Sequence, residues 1–300
     1  MLTLATASAL LAQDWNSHLA GLVLDPAGAA VPAASVRLRN VATGFDRKTQ
    51  ADRQGFYSFP LLPVGAYHLE VAKEGFAPKT LRGLVLQVSQ TVRLNIPLEL
   101  AHERTSLRID TQAPLVETAS PSIGDEIDNR RASLLPLNGR QFSQLALLAA
   151  GALPTYPNSS SQQFNTPAQG LGFSVNGQRA ERNNFSLDGV TLMEPFAYSL
   201  TVNPSVDAIR EFRVVATSYS AEQGVTSGAQ VNIASRSGTN RIAGTAYEYI
   251  RNSTLDARNF FDDPQRPIPP YRQNQFGGSL GGPLRRDRAF FFANYEGLRI

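Results

Sequence analysis

The chain has 300 residues, 42% of them hydrophobic and 18% charged. That length suits two or three modest domains better than one core. No stretch is apolar for the ~20 residues that a membrane-spanning helix needs. Lys and Arg number 28 against 25 Asp and Glu, a net charge of +3, too small and dispersed for the basic face that engages nucleic acid. The lack of any cysteine excludes a thiol nucleophile, a thiolate metal site, an iron-sulfur cluster and a disulfide framework. The histidines, His18, His68 and His102, match no local metal-ligand spacing and read as surface or strand-edge residues.

Residues 1–12, MLTLATASALLA, form a small and apolar run ahead of the polar Gln13-Asp14-Trp15-Asn16. They resemble the h-region and cleavage site of a secretory signal, though without a basic n-region and with a large Leu10 two before the cut. The alternative is a buried first strand, for which Ala, Ser and Thr are poor material.

From residue 20 to 100 the period is two. Ser35-Val36-Arg37-Leu38-Arg39-Asn40, Ala66-Tyr67-His68-Leu69-Glu70-Val71 and Val92-Arg93-Leu94-Asn95-Ile96-Pro97-Leu98 alternate apolar with polar residues, the pattern of strands with one dry face. Between them lie the turn sequences Asp25-Pro26-Ala27-Gly28, Asp52-Arg53-Gln54-Gly55 and Leu62-Pro63-Val64-Gly65. Short strands at this spacing predict an all-β sandwich, with Tyr67 and Leu69 facing its core. The wording of the segment, Gly21-Leu-Val-Leu-Asp-Pro-Ala-Gly followed by Asp52-Arg-Gln-Gly-Phe-Tyr-Ser-Phe, Leu62-Pro-Val-Gly-Ala-Tyr and Lys73-Glu-Gly-Phe, resembles the carboxypeptidase regulatory-like domain. The resemblance implies a noncatalytic, transthyretin-like accessory module. No H-E-x-x-H accompanies it.

Residues 101–125 are polar and proline-bearing, with too little apolar payload for a domain, and read as a linker. Within it Leu107 and Ile109 alternate with Arg108 and Asp110. That is either a short strand able to add to a partner's sheet or a solvated linker strand. Ile127 to Leu148 predicts a helical segment, capped by Asn138 or Ser143, with Phe142, Leu145, Leu147 and Leu148 on its apolar side. A loop rich in Gly, Ser, Asn and Gln follows from 151 to 170.

Then come Phe173-Ser-Val-Asn-Gly-Gln-Arg, Arg182-Asn-Asn-Phe-Ser-Leu-Asp-Gly-Val, Asn203-Pro-Ser-Val-Asp-Ala-Ile-Arg-Glu-Phe-Arg-Val-Val and Gly228-Ala-Gln-Val-Asn-Ile-Ala-Ser-Arg-Ser-Gly-Thr-Asn. In order, they resemble the plug domain of TonB-dependent outer-membrane transporters, Oar-like branch, here over 126–237. Tyr247-Glu-Tyr-Ile-Arg-Asn, Leu255-Asp-Ala-Arg-Asn-Phe-Phe, Arg272-Gln-Asn-Gln-Phe-Gly-Gly-Ser-Leu-Gly-Gly-Pro and Phe290-Phe-Phe-Ala-Asn-Tyr-Glu-Gly-Leu-Arg resemble the opening barrel strands of that branch, over 238–300. Tyr247 with Tyr249, and Phe291 with Tyr295, each share a strand face, as aromatic girdles around a lipid-facing band would. About three strands fit in that last stretch, too few to close a barrel. Gly277-Gly-Ser-Leu-Gly281 matches G-x-S-x-G, but no histidine follows His102 and Gly282-Pro283 opposes a helix after the serine, so it reads as a barrel strand.

The fold class is therefore mainly β: a transthyretin-like β-sandwich, a mixed α+β plug domain and the first strands of an outer-membrane antiparallel β-barrel. The resemblance implies a receptor in the outer membrane, its sandwich in the periplasm, contacting outer-membrane lipid and energised by TonB with its inner-membrane complex. It implies no cofactor and no covalent chemistry, and an extracellular ligand, a siderophore, glycan or peptide; Tyr156, Phe196 and Tyr198, on plug loops that the resemblance turns toward the outer mouth, either stack on that ligand or seal the plug against the barrel wall. It places the TonB-contacting box at Leu107, Arg108, Ile109 and Asp110. The alternatives are an Oar-like adhesion or assembly protein at the cell surface, and a periplasmic binding module without transport.

Overall fold

The computed structural model describes residues 16–101, 123–135, 137–155, 172–194, 200–219, 226–258, 260–261, 263 and 265–300. The chain forms two compact units, Met1–Ser235 and Arg236–Ile300.

The first unit opens with strands β1 (Ser17–Leu24), β2 (Ser35–Asn40), β3 (Asp46–Gln50), β4 (Phe56–Leu62), β5 (Gly65–Ala72), β6 (Lys79–Leu86), β7 (Thr91–Arg93) and β8 (Ile96–Pro97). They make two sheets, one in the order β4-β1-β7 with β8 also on β1, the other in the order β3-β2-β5-β6. Alternation decides what lies between them. On β5, Tyr67, Leu69 and Val71 are buried while Ala66, Glu70 and Ala72 face water, and they meet Leu19, Tyr57 and Phe59 from the other sheet in one core. Both core phenols keep a partner: Tyr57 Oη donates to Leu94 O at 2.7 Å and Tyr67 Oη to Pro63 O at 2.5 Å.

The turns form as their residues dictate. Asp25 Oδ1 accepts the N–H groups of Ala27 (2.9 Å) and Ala29 (2.7 Å), with Gly28 at φ 83°. Asp52 Oδ1 does the same for Gln54 and Phe56, with Gly55 at φ 73°. The alternation from Val92 to Leu98, however, does not make one strand. It breaks at Leu94 and Asn95, where the chain crosses Gly21 so closely that a Cβ on that glycine would lie 1.8 Å from Leu94 O. Across the break Leu94 N–H still donates to Ala20 O (2.8 Å), and Asn95 Oδ1 accepts Leu22 N–H (3.0 Å) in place of a main-chain carbonyl.

The remainder of this unit contains β9 (Ile123–Asp128), α1 (Asn129–Leu134), β10 (Ala152–Pro154), β11 (Phe173–Val175), β12 (Asn184–Leu187), β13 (Val190–Thr191), β14 (Ile209–Thr217) and β15 (Gln230–Ser235). Five of these strands form a sheet in the order β13-β12-β15-β14-β9, and β10 pairs with β11. A second core gathers on one side, where the Phe142 ring meets Phe185 at 6.1 Å and Phe212 at 6.3 Å, edge-on.

The helical segment expected from Ile127 to Leu148 is not one helix. Ile127 belongs to a strand that begins at Ile123, inside the stretch read as linker. One short helix follows, then 3-10 segments Asn138–Arg140 and Phe142–Leu148, with Gly139 at φ 66° interrupting the first. Neither Asn138 nor Ser143 caps: both lie inside 3-10 segments, and the cap of the second is Gln141, whose side chain makes no capping hydrogen bond. A three-residue repeat stacks Phe142 over Leu145, and leaves Leu148 exposed rather than in the core.

The second unit consists of β16 (Ala243–Asn252), β17 (Arg272–Arg285) and β18 (Ala289–Arg299), antiparallel in that order. Residues directly opposite share a face. Thr245, Ser279 and Asn294 align, as do Tyr247, Gly277 and Glu296, on one face; Ala246, Gly278 and Tyr295, and Glu248, Phe276 and Gly297, align on the other. Tyr247 and Tyr249 therefore lie on the face with Gln275 and Glu296, not on that of Phe291 and Tyr295, so the two aromatic pairs do not form girdles on one common surface. Ser279 sits in mid-strand with its Oγ 2.8 Å from Thr245 Oγ1, a ladder position rather than a nucleophile elbow. No helix among the described residues is long and apolar enough to cross a membrane.

Leu69→Ala should cost about 2 to 5 kcal/mol of sandwich stability, read as a lowered denaturant midpoint; an unchanged midpoint would contradict its core position. Burial also pushes the Tyr57 phenol above its ordinary value of 10.0. The folded state thus holds this proton more tightly than the unfolded state, so the contribution is full below about pH 10 and is lost as pH rises further. Tyr57→Phe should flatten that alkaline loss in unfolding curves taken across pH 9 to 12.

Candidate functional site

The central sheet is unusual in burying both of its faces. Phe185, Phe212, Val214, Val231 and Ile233 point into the aromatic core. The opposite face carries Asn184, Ser186, Gln230, Asn232, Glu211 and Arg213, which are polar and yet buried. Buried polar groups are costly unless paired, and β12 runs parallel to β15 so that Asn184 opposes Gln230 and Ser186 opposes Asn232, which leaves Asn232 Nδ2 without a partner among the described residues. Asn184 Nδ2 donates to Gln230 Oε1 (3.0 Å), Ser186 Oγ to Asn232 Oδ1 (2.8 Å) and Thr191 Oγ1 to Asn184 Oδ1 (3.0 Å).

The family-like motifs hold this arrangement in place. In Leu187-Asp188-Gly189-Val190 both central residues have positive φ, 49° and 83°, the two-residue hairpin turn that Asp-Gly favours. Asp188 then accepts Ser235 N–H (2.9 Å) and Ser235 Oγ–H (2.6 Å), tying the turn to the end of β15. Asn176 and Gly177, at φ 51° and 77°, form another turn of this shape, closed by Gln178 N–H on Val175 O (3.0 Å), though no paired strand follows it. Asn183 is a clip: its Nδ2 donates to Phe173 O (2.6 Å) and its Oδ1 accepts Ala229 N–H (2.9 Å). Arg140 and Asp207 form an ion pair with little exposure, fixing the 3-10 segments to the turn before β14.

On the last sheet a smaller polar cluster gathers around Glu296, which accepts Tyr247 Oη–H at 2.5 Å and Gln275 Nε2–H at 3.0 Å. Among the described residues no three His, Asp or Glu side chains are placed to hold a metal ion. What these groups offer is hydrogen bonding on preformed surfaces.

The sequence-derived site residues lie elsewhere. Tyr156, Phe196 and Tyr198, and Leu107, Arg108, Ile109 and Asp110, fall outside the described residues. The buried polar face was not anticipated from sequence, although Asn184, Ser186, Gln230 and Asn232 all sit at alternate positions of strands whose other positions are apolar, which is its signal.

Comparison with known proteins assigns the two ends of the chain. Residues 18–99 match the carboxypeptidase regulatory-like domain, and residues 234–300 match the outer membrane beta barrel domain. Over 96% of its length the chain aligns at 28% identity with the TonB-dependent transporter Oar of Myxococcus xanthus. The chain is a homologue of Oar. It spans 27% of that relative's length. Among solved structures it is similar to the siderophore receptor PirA from Acinetobacter baumannii, at 17% identity over 58% of this chain and 24% of that one, with a TM-score of 0.43. The ferric enterobactin receptor PfeA from Pseudomonas aeruginosa gives 15% identity over 56% and 23%, with a TM-score of 0.39. The expected noncatalytic reading agrees with the relative's being a transporter.

Asn183→Ala strands one carbonyl and one amide, each costing about 1 to 3 kcal/mol when left unpaired in the interior. Amide exchange at Ala229 and along β11 should accelerate, with the sandwich strands unchanged. Unaltered exchange at Ala229 would remove the clip from the account.

Proposed function

We propose that this chain is the leading part of an outer-membrane receptor that takes up an extracellular ligand and admits it to the periplasm with energy relayed by TonB. The observation that carries the reading is the co-linear likeness to Oar across 96% of the chain, from the sandwich through the central sheet to the final strands. The physical character of the last sheet supports it. One face bears Thr245, Ser279, Tyr247, Gln275 and Glu296, tied by side-chain hydrogen bonds, with Phe292 beside them, while the other is mainly apolar, bearing Ala246, Leu280, Ala293, Phe291 and Tyr295 with Glu248 as its charged exception. A strand of a barrel in lipid needs that division between a polar interior and an apolar exterior.

In this reading the central sheet is the plug that occludes the barrel, and the sandwich lies in the periplasm. Leu107, Arg108, Ile109 and Asp110 form the segment that pairs with TonB by strand addition, in which main-chain donors matter more than side-chain identity. Tyr156, Phe196 and Tyr198 belong to loops at the outer mouth, where their rings stack on a siderophore, a glycan or an aromatic peptide side chain at modest entropic cost.

Two experiments test the reading in the complete receptor. Proline at Leu107 or Ile109 removes a donor from an extended segment, and site-specific crosslinking to TonB should fall to background while surface abundance is unchanged. Persistent crosslinking would reject the box assignment. A triple alanine replacement of Tyr156, Phe196 and Tyr198 should weaken binding of the transported ligand at least tenfold, a loss of about 1.4 kcal/mol. Ligand uptake that continues in a strain lacking TonB would overturn the transport reading itself and favour adhesion or assembly.

A further inference from the structure

The sandwich and the central sheet meet through a built contact. Val64 and Val88 of the sandwich and Ala234 of β15 form a small buried cluster of their own, distinct from both cores. Beside it the buried carboxylate of Glu211 accepts the N–H of Val88 at 2.5 Å, and Arg213 Nη1 donates to Ser89 O at 3.3 Å. Glu211 and Arg213 are only 7% and 5% exposed, and they occupy the face of β14 opposite Phe212 and Val214.

Both partners are shaped for this contact. Pairing of β14 with β15 shifts register between Ile209 and Glu211, a local irregularity that re-aims neighbouring side chains. Arg210 consequently reaches the sandwich as well, its Nη2 lying 2.8 Å from where a Cβ on Gly65 would be. Gly65 has φ 146°, so the absent side chain serves both the turn and the guanidinium above it. On the sandwich side, Ser89 adopts φ 52°. Its turn is held by Ser17 Oγ–H on Gln87 O (2.6 Å), His18 N–H on Gln90 O (2.8 Å) and Gln87 N–H on Gln90 Oε1 (3.1 Å). A non-glycine residue in the left-handed region costs free energy, and here it lets the adjacent Val88 N–H and Ser89 C=O address a carboxylate and a guanidinium on the same strand.

We propose that the sandwich is a docked cap on the polar face of the central sheet, held by the turns at 63–65 and 87–90 against Arg210, Glu211, Arg213 and Ala234, rather than a module swinging on a tether. The contact is made mainly with main-chain groups of the sandwich, so it reads turn geometry, and it places opposite charges where water is excluded. Charges buried in this way stabilise weakly at best but penalise any misplaced arrangement, which makes them suited to fixing one orientation. The inference concerns the role of the sandwich and stands apart from whether the receptor transports.

The absence of native cysteine allows a direct test. Nitroxides at Arg53→Cys and Val190→Cys, both exposed positions, report the separation of sandwich and sheet by pulsed electron resonance on the full chain in detergent micelles. A single narrow distance distribution is expected. It should broaden in Glu211→Ala/Arg213→Ala, with exchange of the Val88 amide at least about tenfold faster and that of β1 and β5 unchanged. Val64→Asp attacks the same contact from the sandwich side without altering β14 and should broaden the distribution equally. A broad distribution in the parent chain, or a narrow one surviving in both variants with Val88 still protected, would overturn the proposal.

Discussion

A β-strand sends alternate side chains to opposite faces, and in β14 that constraint governs the whole first unit. Phe212 and Val214 enter the aromatic core beside Phe142 and Ile233. Glu211 and Arg213, one step out of phase, meet the turns of the sandwich. The strand's two edges are taken by β9 and β15. A one-residue slip would put phenylalanine against the polar turns and a carboxylate into the aromatic cluster, so the register of this strand is fixed from both sides at once. The register shift near Arg210 is compatible with that demand because it falls between Ile209 and Glu211, ahead of Phe212 and Val214.

The second unit follows the same alternation with different materials. Five aromatic residues each stand directly opposite a glycine on the neighbouring strand: Tyr247 and Gly277, Phe276 and Gly297, Tyr295 and Gly278, Phe292 and Gly281, Phe291 and Gly282. A Cβ at Gly277 would come within 2.5 Å of Tyr247 Oη, and one at Gly297 within 2.8 Å of Phe276 Cζ. The rings thus lie across the glycines and cover main chain that would otherwise be bare. A glycine in a strand forfeits side-chain packing, and a large ring laid over it restores much of the lost contact. Since Phe276 lies on one face and Tyr247 and Phe292 on the other, the device operates on both surfaces of the sheet.

How much of this was legible in the sequence depended on the period. Ser35–Asn40 and the strand around Tyr67 were readable because each has one wet and one dry face, and Asp25 and Asp52 announced their turns by chemistry. The stretch from Phe142 was not, since a 3-10 repeat stacks residues three apart and mimics a short α-helical stripe. Val92 to Leu98 alternated correctly but concealed a crossing over Gly21 that only tertiary structure reveals. Tyr247 and Tyr249 were correctly placed on one face, yet parity cannot say which face is polar; the partners Gln275 and Glu296 decide that. The Asn-Gly and Asp-Gly pairs at 176–177 and 188–189 carried a plain turn signal inside stretches read only as family motifs. The residues expected to meet ligand and TonB sit in polar segments whose one alternation, from Leu107 to Asp110, is too short to fix a partner strand, so sequence supplies residue types there but no register.

The topology also bears on how a pull from the periplasm would act if the segment from 102 to 122 is the one grasped. That segment leaves the sandwich at Ala101, whose N–H donates to Gly75 O at 3.1 Å, and enters β9 at Ile123. β9 is the edge strand of its sheet and pairs antiparallel with β14, from Ile123 opposite Thr217 to Asp128 opposite Glu211. Tension applied ahead of Ile123 therefore loads the Thr217 end first and can peel the strand pair by pair, each hydrogen bond resisting with only about 1 kcal/mol. The Glu211 end, where the sandwich is seated, is reached last. Peeling an edge requires far less force than shearing all its bonds together, so the sheet can yield progressively at one end while its seat for the sandwich stays formed at the other.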